Sequence, residues 1–192
     1  KLLKRYPEFL KFCVCGLFYQ AGIAVVITLS AVYAQLVMKF TTAQTITLIL
    51  VVNITAAIGA FVFGYVQDRL GHKKTLALTI LLWIIMGVMA AFSHGPVSFW
   101  IAANIAGIAM GSSQSAGRAV VAVFAPAGEL AQFYSAWNVA VWGANVLGPI
   151  TYGTVTWLTS GDQRTAILVT TLFFVIGLLI LRRVHLPSKT VC

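Results

Sequence analysis

Four carboxylates (Glu8, Asp68, Glu129, Asp162) and three imidazoles (His72, His94, His185) are the groups of this chain suited to moving a proton or holding a metal ion. All seven fall in polar loops or at the ends of apolar stretches. Cys13 and Cys15 are two residues apart, so on a helix they do not share a face, and no His or third Cys accompanies them. No metal site and no cofactor is expected from such a set. Ser112 and Ser113 sit inside an apolar stretch, but a serine nucleophile needs a base within hydrogen-bond reach, and no His lies at that depth. Intramembrane hydrolysis therefore has no acid–base partner in this sequence.

The apolar stretches do hold neutral hydrogen-bonding groups. Asn138, Trp142 and Asn145 lie at offsets 0, 4 and 7, one face of a helix, followed by Gly148 and Pro149. Asn104, Gly107, Gly111, Ser115 and Arg118 form a second stripe at offsets 0, 3, 7, 11 and 14. Gln20, Asn53 and Gln114 add three further amides. An amide donates and accepts without carrying charge, which suits contact with a small polar or zwitterionic solute. Gln20, Asn53, Gln114, Asn138, Trp142 and Asn145 are accordingly the candidate substrate contacts. Gly107, Gly111, Arg118, Gly148 and Pro149 are candidates for close helix packing or gating, Gly107 and Gly111 forming a G-x-x-x-G pair. A seam of interhelical contacts is the alternative reading of both stripes.

Six apolar stretches must position these residues. They cover about 12–37, 42–66, 75–92, 99–124, 130–158 and 165–181, each near the ~20 residues that cross ~30 Å of hydrocarbon. With 60% hydrophobic and 9% charged residues, the chain could not cover its surface in water, where about 25% charge is usual. The expectation is an all-α, multi-pass membrane protein with one six-helix domain over residues 1–192, surrounded by lipid bilayer. A run of this length at the start exceeds a signal-peptide core of about 7–15 residues.

A net charge of +9 invites a nucleic-acid reading, but its placement opposes one. Lys1, Lys4, Arg5, Lys11, Arg69, Lys73, Lys74, Arg118, Arg182, Arg183 and Lys189 fall on one side of a six-span arrangement; Lys39 and Arg164 fall on the other. That is the positive-inside pattern, so both termini are expected in the cytoplasm and no nucleic acid is expected as a partner. The chain starts at Lys1 and its first Met is Met38. It therefore reads as a segment of a longer protein.

The loop between the second and third stretches runs Gly64-Tyr-Val-Gln-Asp68-Arg69-Leu-Gly71-His72-Lys73-Lys74. Three cations would suffice for a positive-inside loop, but they do not explain an acid at the membrane edge or two glycines at this spacing. Gly64 would leave space for another helix and Gly71 would permit a tight turn. The loop resembles the G-x-x-x-D-R-x-G-R-R/K signature of the major facilitator superfamily, with His72 in place of the usual Arg. A further series, Gly111-Ser-Ser-Gln114-Ser115-Ala-Gly117-Arg118, then Pro126, Glu129-Leu-Ala-Gln-Phe133-Tyr134 and Leu147-Gly148-Pro149, is similar to the C-terminal half of its vacuole-effluxer-like branch.

The resemblance covers roughly Phe12 to Arg183. It implies two inverted three-helix repeats, an N-terminal six-helix half of the same protein as partner, and transport of a small solute by alternating access. Relatives in that branch are linked to amino-acid efflux. It assigns Gly64, Asp68, Arg69, Gly71, Lys73 and Lys74 to a loop that governs switching between access states. It implies residence in the cytoplasmic membrane, or a vacuolar membrane in a eukaryote. Gln20 stands where the branch often has an acid, and Gly117 where it usually has Ser, so no coupling carboxylate is expected in this half. A scaffold without flux, a six-helix channel or an intramembrane enzyme are the alternatives. The paired N-P-A segments of water channels and the Pro-acid-basic triplets of mitochondrial carriers are absent from the sequence.

Overall fold

The computed structural model describes residues 2–187, and within them every regular element is a helix. A single turn, α1 (Leu2–Arg5), precedes α2 (Pro7–Leu36), α3 (Thr42–Leu70), α4 (His72–Ala91), α5 (Pro96–Phe124), α6 (Leu130–Leu158) and α7 (Gln163–Arg183). The six long helices correspond one for one to the six apolar stretches. Several begin or end outside them, because a helix continues past the hydrocarbon edge wherever its backbone is capped. At 29 residues, α3, α5 and α6 reach about 44 Å, longer than the ~30 Å apolar slab.

Local sequence sets the ends. Pro7 and Pro96 occupy the first turns of α2 and α5, where their missing N–H has no partner to lose. Thr41 and Gln44 form a reciprocal capping box on α3. Asp162 caps α7, accepting from Arg164 N at 2.9 Å and from the Thr165 hydroxyl. The Thr165 bond, then those from backbone N–H groups, holds the Asp162 carboxyl below its ordinary range. Only Gly71 separates α3 from α4, at φ +81°, a conformation that costs a residue with a Cβ.

Packing reveals an internal repeat that residue identities do not show. The most extensive contact is α3 on α5, and its counterpart is α2 on α6. Next come α4 on α5 and, matching it, α2 on α7; α4 and α7 pack on each other. Exchanging α2–α3–α4 for α5–α6–α7 leaves this pattern unchanged. An odd number of crossings separates the two units, so they run in opposite directions and form an inverted pair. Both seams are backbone contacts: a Cβ on Gly59 would lie 2.6 Å from Ile108 O, and one on Gly148 would lie 2.2 Å from Ala21 O.

The chain start, the α3–α4 and α5–α6 connections and the end of α7 share one end, the basic end. It is filled by aromatic packing. Phe9 lies 4.5 Å from Phe133, and Phe12 stacks on Trp137 at 5.0 Å, ring centroid to centroid. Cys13 and Cys15 are buried there, and the Cys15 thiol donates to Gly177 O at 3.2 Å. Lys1, Lys189 and Cys192 lie outside the described residues, and among those described no cluster of three metal-ligating side chains occurs.

Outside this core the body is lined with apolar side chains whose larger part no described residue covers. Ile46, Leu50, Ile54 and Phe61 are exposed on α3, and Val139, Trp142, Val146 and Ile150 on α6. Such surface is stable only against lipid or further protein. The helices α2, α3, α4 and α7 are long and apolar enough to cross a membrane by composition alone. The equally long α5 and α6 carry the glycines, amides and hydroxyls, and their tight packing on α3 and α2 places them in the same layer.

Candidate functional site

A cavity of about 250 Å³ lies inside the body, in the half remote from the basic end. The first repeat lines it with Val25, Ser30 and Tyr33 of α2, Val52 and Asn53 of α3, and Trp83 and Met86 of α4. The second lines it with Phe99, Ala106 and Met110 of α5, Tyr152 of α6, and Thr170, Thr171 and Phe174 of α7. Both repeats thus contribute walls. The exposed lining residues are Ile27, Ile49 and Asn53, which puts the mouth between α2 and α3, two helices that barely touch.

The walls are apolar in character despite several polar side chains. Tyr33 donates its hydroxyl to Ala90 O at 2.8 Å, and Trp83 donates its indole N–H to Ser113 Oγ at 3.2 Å. The Thr170 and Thr171 hydroxyls return to Ala166 O and Ile167 O of their own helix, and Tyr152 OH reaches Gln163 Oε1 at 2.5 Å. These groups present ring faces and methyls to the space. Asn53 uses Nδ2 on Ile49 O at 2.8 Å, which leaves its carbonyl oxygen available at the mouth.

Of the six amide and indole candidates, Asn53 alone lines this cavity. Gln20 and Gln114 meet elsewhere: Gln114 Nε2 donates to Gln20 Oε1 at 3.4 Å, joining α2 to α5 near the middle of the body. Gln20 is buried and Gln114 half-buried. Asn138, Trp142 and Asn145 share a face of α6 that points out of the body, Trp142 being 69% exposed. Trp83, Met110, Phe174, Thr170 and Thr171 are wall residues that the sequence does not single out. Trp83 carries a signal, an indole far from either interface within an apolar run; the others are indistinguishable from ordinary packing residues.

The α5 stripe divides. Gly107 and Gly111 press on α3, where their Cβ atoms would lie 2.6 Å from Val52 O and 1.9 Å from Ala56 O. Asn104 donates to Trp100 O of its own helix at 2.8 Å, and Ser115 and Arg118 are exposed. Gly148 abuts α2, and α6 runs on through Pro149. Gly117 leaves room for the Tyr19 hydroxyl, which is fully buried without a partner among the described residues; a Cβ there would lie 2.6 Å from it.

In the signature loop, no described residue comes within 4 Å of the Cβ position of Gly64, so no described helix uses the space it leaves. Asp68 and Arg69 are exposed at the end of α3, and Lys74 is exposed on α4. Lys73 instead binds the end of α7, donating to Arg182 O at 3.1 Å and Val184 O at 2.6 Å. Beside it, Glu8 accepts from His185 N at 2.7 Å and from Lys11 Nζ at 2.6 Å, so the segment after α7 is held across the starts of α2 and α4.

Residues 1–191 match the family model described as vacuole effluxer Atg22 like. The chain is 26% identical over 190 residues to an uncharacterized MFS-type transporter, YxiO, of Bacillus subtilis (strain 168), covering 99% of this chain and 44% of that protein. Among solved structures it resembles the fucose:proton symporter FucP of E. coli, with TM-score 0.80 and 18% identity over 96% of this chain and 44% of that one. It also resembles the xylose transporter XylE of E. coli in its inward-open conformation, with TM-score 0.77 and 19% identity over 94% and 48%. At these identities the likeness establishes the fold, that of half a major facilitator. The chain spans less than half the length of the relatives it matches.

Proposed function

The chain belongs to the vacuole effluxer Atg22-like family, and from that premise we propose that it is the C-terminal half of a secondary active transporter that moves a small polar solute by alternating access. The observation that carries the reading is the cavity lined by both inverted repeats. Solute sites of such transporters lie at repeat interfaces within the membrane. Its mouth offers the Asn53 carbonyl, and its lining offers the Ser30 hydroxyl with rings and methyls. A solute with a polar head and an apolar tail fits this division, and amino acids are the class to test first.

The uncovered faces of α3 and α6 are the surfaces on which an N-terminal half would close. On that arrangement Asn138, Trp142 and Asn145 face the partner half or the pathway between the halves. The basic end lies in the cytoplasm, by the eleven-to-two division of cations. Gln20 and Gln114 are neutral at any physiological pH, so a proton that drives transport would be carried by a group outside this half.

Binding of an amino-acid panel to the purified full-length protein tests the site. Asn53→Ala removes a hydrogen bond at the mouth and should weaken affinity about fivefold or more, the equivalent of ~1 kcal/mol. Ala106→Leu adds bulk to the wall and should weaken long side chains more than short ones. Unchanged affinities in both variants would move the site elsewhere.

A further inference from the structure

The side of the body opposite the cavity mouth is built by α4 and α7, which pack on each other. Lys74, Leu78, Leu81 and Ile85 of α4 lie at offsets 0, 4, 7 and 11, within an arc of about 60°, and all four are exposed. On α7, Leu172, Ile176, Leu179 and Arg183 have the same spacing, and they too are exposed. The helices run in opposite directions, so the cations Lys74 and Arg183 both come to the basic end, and the apolar residues extend from them toward the middle of the membrane. The Lys73 bonds to Arg182 O and Val184 O bring the start of α4 directly against the end of α7.

Cations outnumber acids in this corner, where Glu8 is the acid that reaches the segment after α7, through His185 N. Neither the first turn of α4 nor the last turn of α7 holds an acid. The ion pairs of the described residues are Arg5–Glu129, Lys11–Glu8 and His185–Glu8, so Lys74, Arg182 and Arg183 have no carboxylate partner there. Each stripe spans twelve residues, about 16 Å along the axis from first to last, close to half of the ~30 Å hydrocarbon thickness. An apolar strip one leaflet deep, ending in unpaired cations at the headgroup level, matches the shape and charge of a single phospholipid.

We propose that the α4–α7 face binds one phospholipid with a net negative headgroup from the leaflet at the basic end. Its phosphate is held by Lys74, Arg182 and Arg183, and its chains lie along Leu78, Leu81, Ile85, Leu172, Ile176 and Leu179. Placing that leaflet on the cytoplasmic side rests on the orientation given above. The bound lipid is counted independently of any flux, so its absence and a failure of transport are separate results.

The test uses full-length protein reconstituted in vesicles of three parts phosphatidylcholine to one part phosphatidylglycerol, extracted in mild detergent, with retained lipids counted by native mass spectrometry. Wild-type protein should retain phosphatidylglycerol in excess of its share, and soluble glycerol phosphate should not displace it. Lys74→Gln with Arg183→Gln should reduce the excess about fivefold for each cation removed. Arg5→Gln with Arg118→Gln, the same charge loss away from this face, should leave it. A diazirine-bearing phosphatidylglycerol supplies a readout that needs no variant: in wild-type protein, labelled peptides should fall within 74–85 and 172–183. No excess in wild type, equal loss in both double variants, displacement by glycerol phosphate, or labelling confined to other helices would each overturn the proposal.

Discussion

Gly111 and Gly64 look equivalent in the sequence, each a glycine near polar residues in an apolar helix, yet their surroundings differ completely. A Cβ at Gly111 would sit 1.9 Å from Ala56 O, a backbone atom that cannot rotate away. Gly111→Ala should therefore force α3 and α5 apart and destabilise the protein by about 1–3 kcal/mol, as overpacking does. At Gly64 nothing lies within 4 Å, and Gly64→Ala should be neutral or stabilising by up to about 1 kcal/mol. Thermal unfolding of the full-length protein in detergent separates the two; similar losses at both sites would mean that Gly64 acquires a neighbour in the complete molecule. The Gln20–Gln114 pair allows a companion prediction. Gln20→Leu alone strands the Gln114 amide and should cost about 1–3 kcal/mol, whereas the double change to Leu should cost less than the sum of the singles. A sum that is strictly additive would show that the two amides do not support each other. Residue type and spacing are enough to find these side chains. They are not enough to say which glycine is crowded or which amides meet, because that depends on the rotation of each helix about its axis.

At the scale of the helix, length, apolar content and end signals are legible in the sequence, and the six stretches and the turn at Gly71 follow from them directly. Facing is not legible. The sequence puts Asn138, Trp142 and Asn145 on one side of α6 but does not say whether that side meets α2 or leaves the body, and it leaves the body. Being exposed, the two amides support no packing in this half. Asn138→Ala and Asn145→Ala should yield folded protein with weaker solute binding, checked by direct binding to each purified full-length variant. Equal affinity in both, or misfolding in both, would make the stripe a contact surface for the partner half. The α3–α4 turn carries a different expectation. Asp68 is exposed at its end of the body, remote from the cavity. Asp68→Asn keeps the size and removes the charge, so transport should fall while equilibrium affinity changes less than about tenfold, ~1.4 kcal/mol. Normal transport in Asp68→Asn would reduce the loop to a topology signal.

For the whole molecule, the charge split and the loop signature are sufficient to indicate a half-transporter; the inverted repeat is implied by the resemblance and becomes visible in the packing. Residues of the two units share little identity because packing fixes size and position at a few points, such as Gly59 and Gly148, and leaves the rest free. Orientation can be checked in intact cells: single cysteines at Lys39 and Gly161 should react with an impermeant thiol reagent added outside, and one at Lys74 should not. The reverse labelling would invert the arrangement. The central claim is that this fold carries solute across a membrane. Counterflow tests it most directly: proteoliposomes of the full-length protein are preloaded with an unlabelled amino acid, one per preparation across a panel, and entry of the labelled compound is followed. Saturable, transient accumulation above empty vesicles is the predicted result for at least one member of the panel. Entry no faster than into empty vesicles for every member, with the protein folded and correctly inserted, would contradict the account and leave a membrane scaffold in its place.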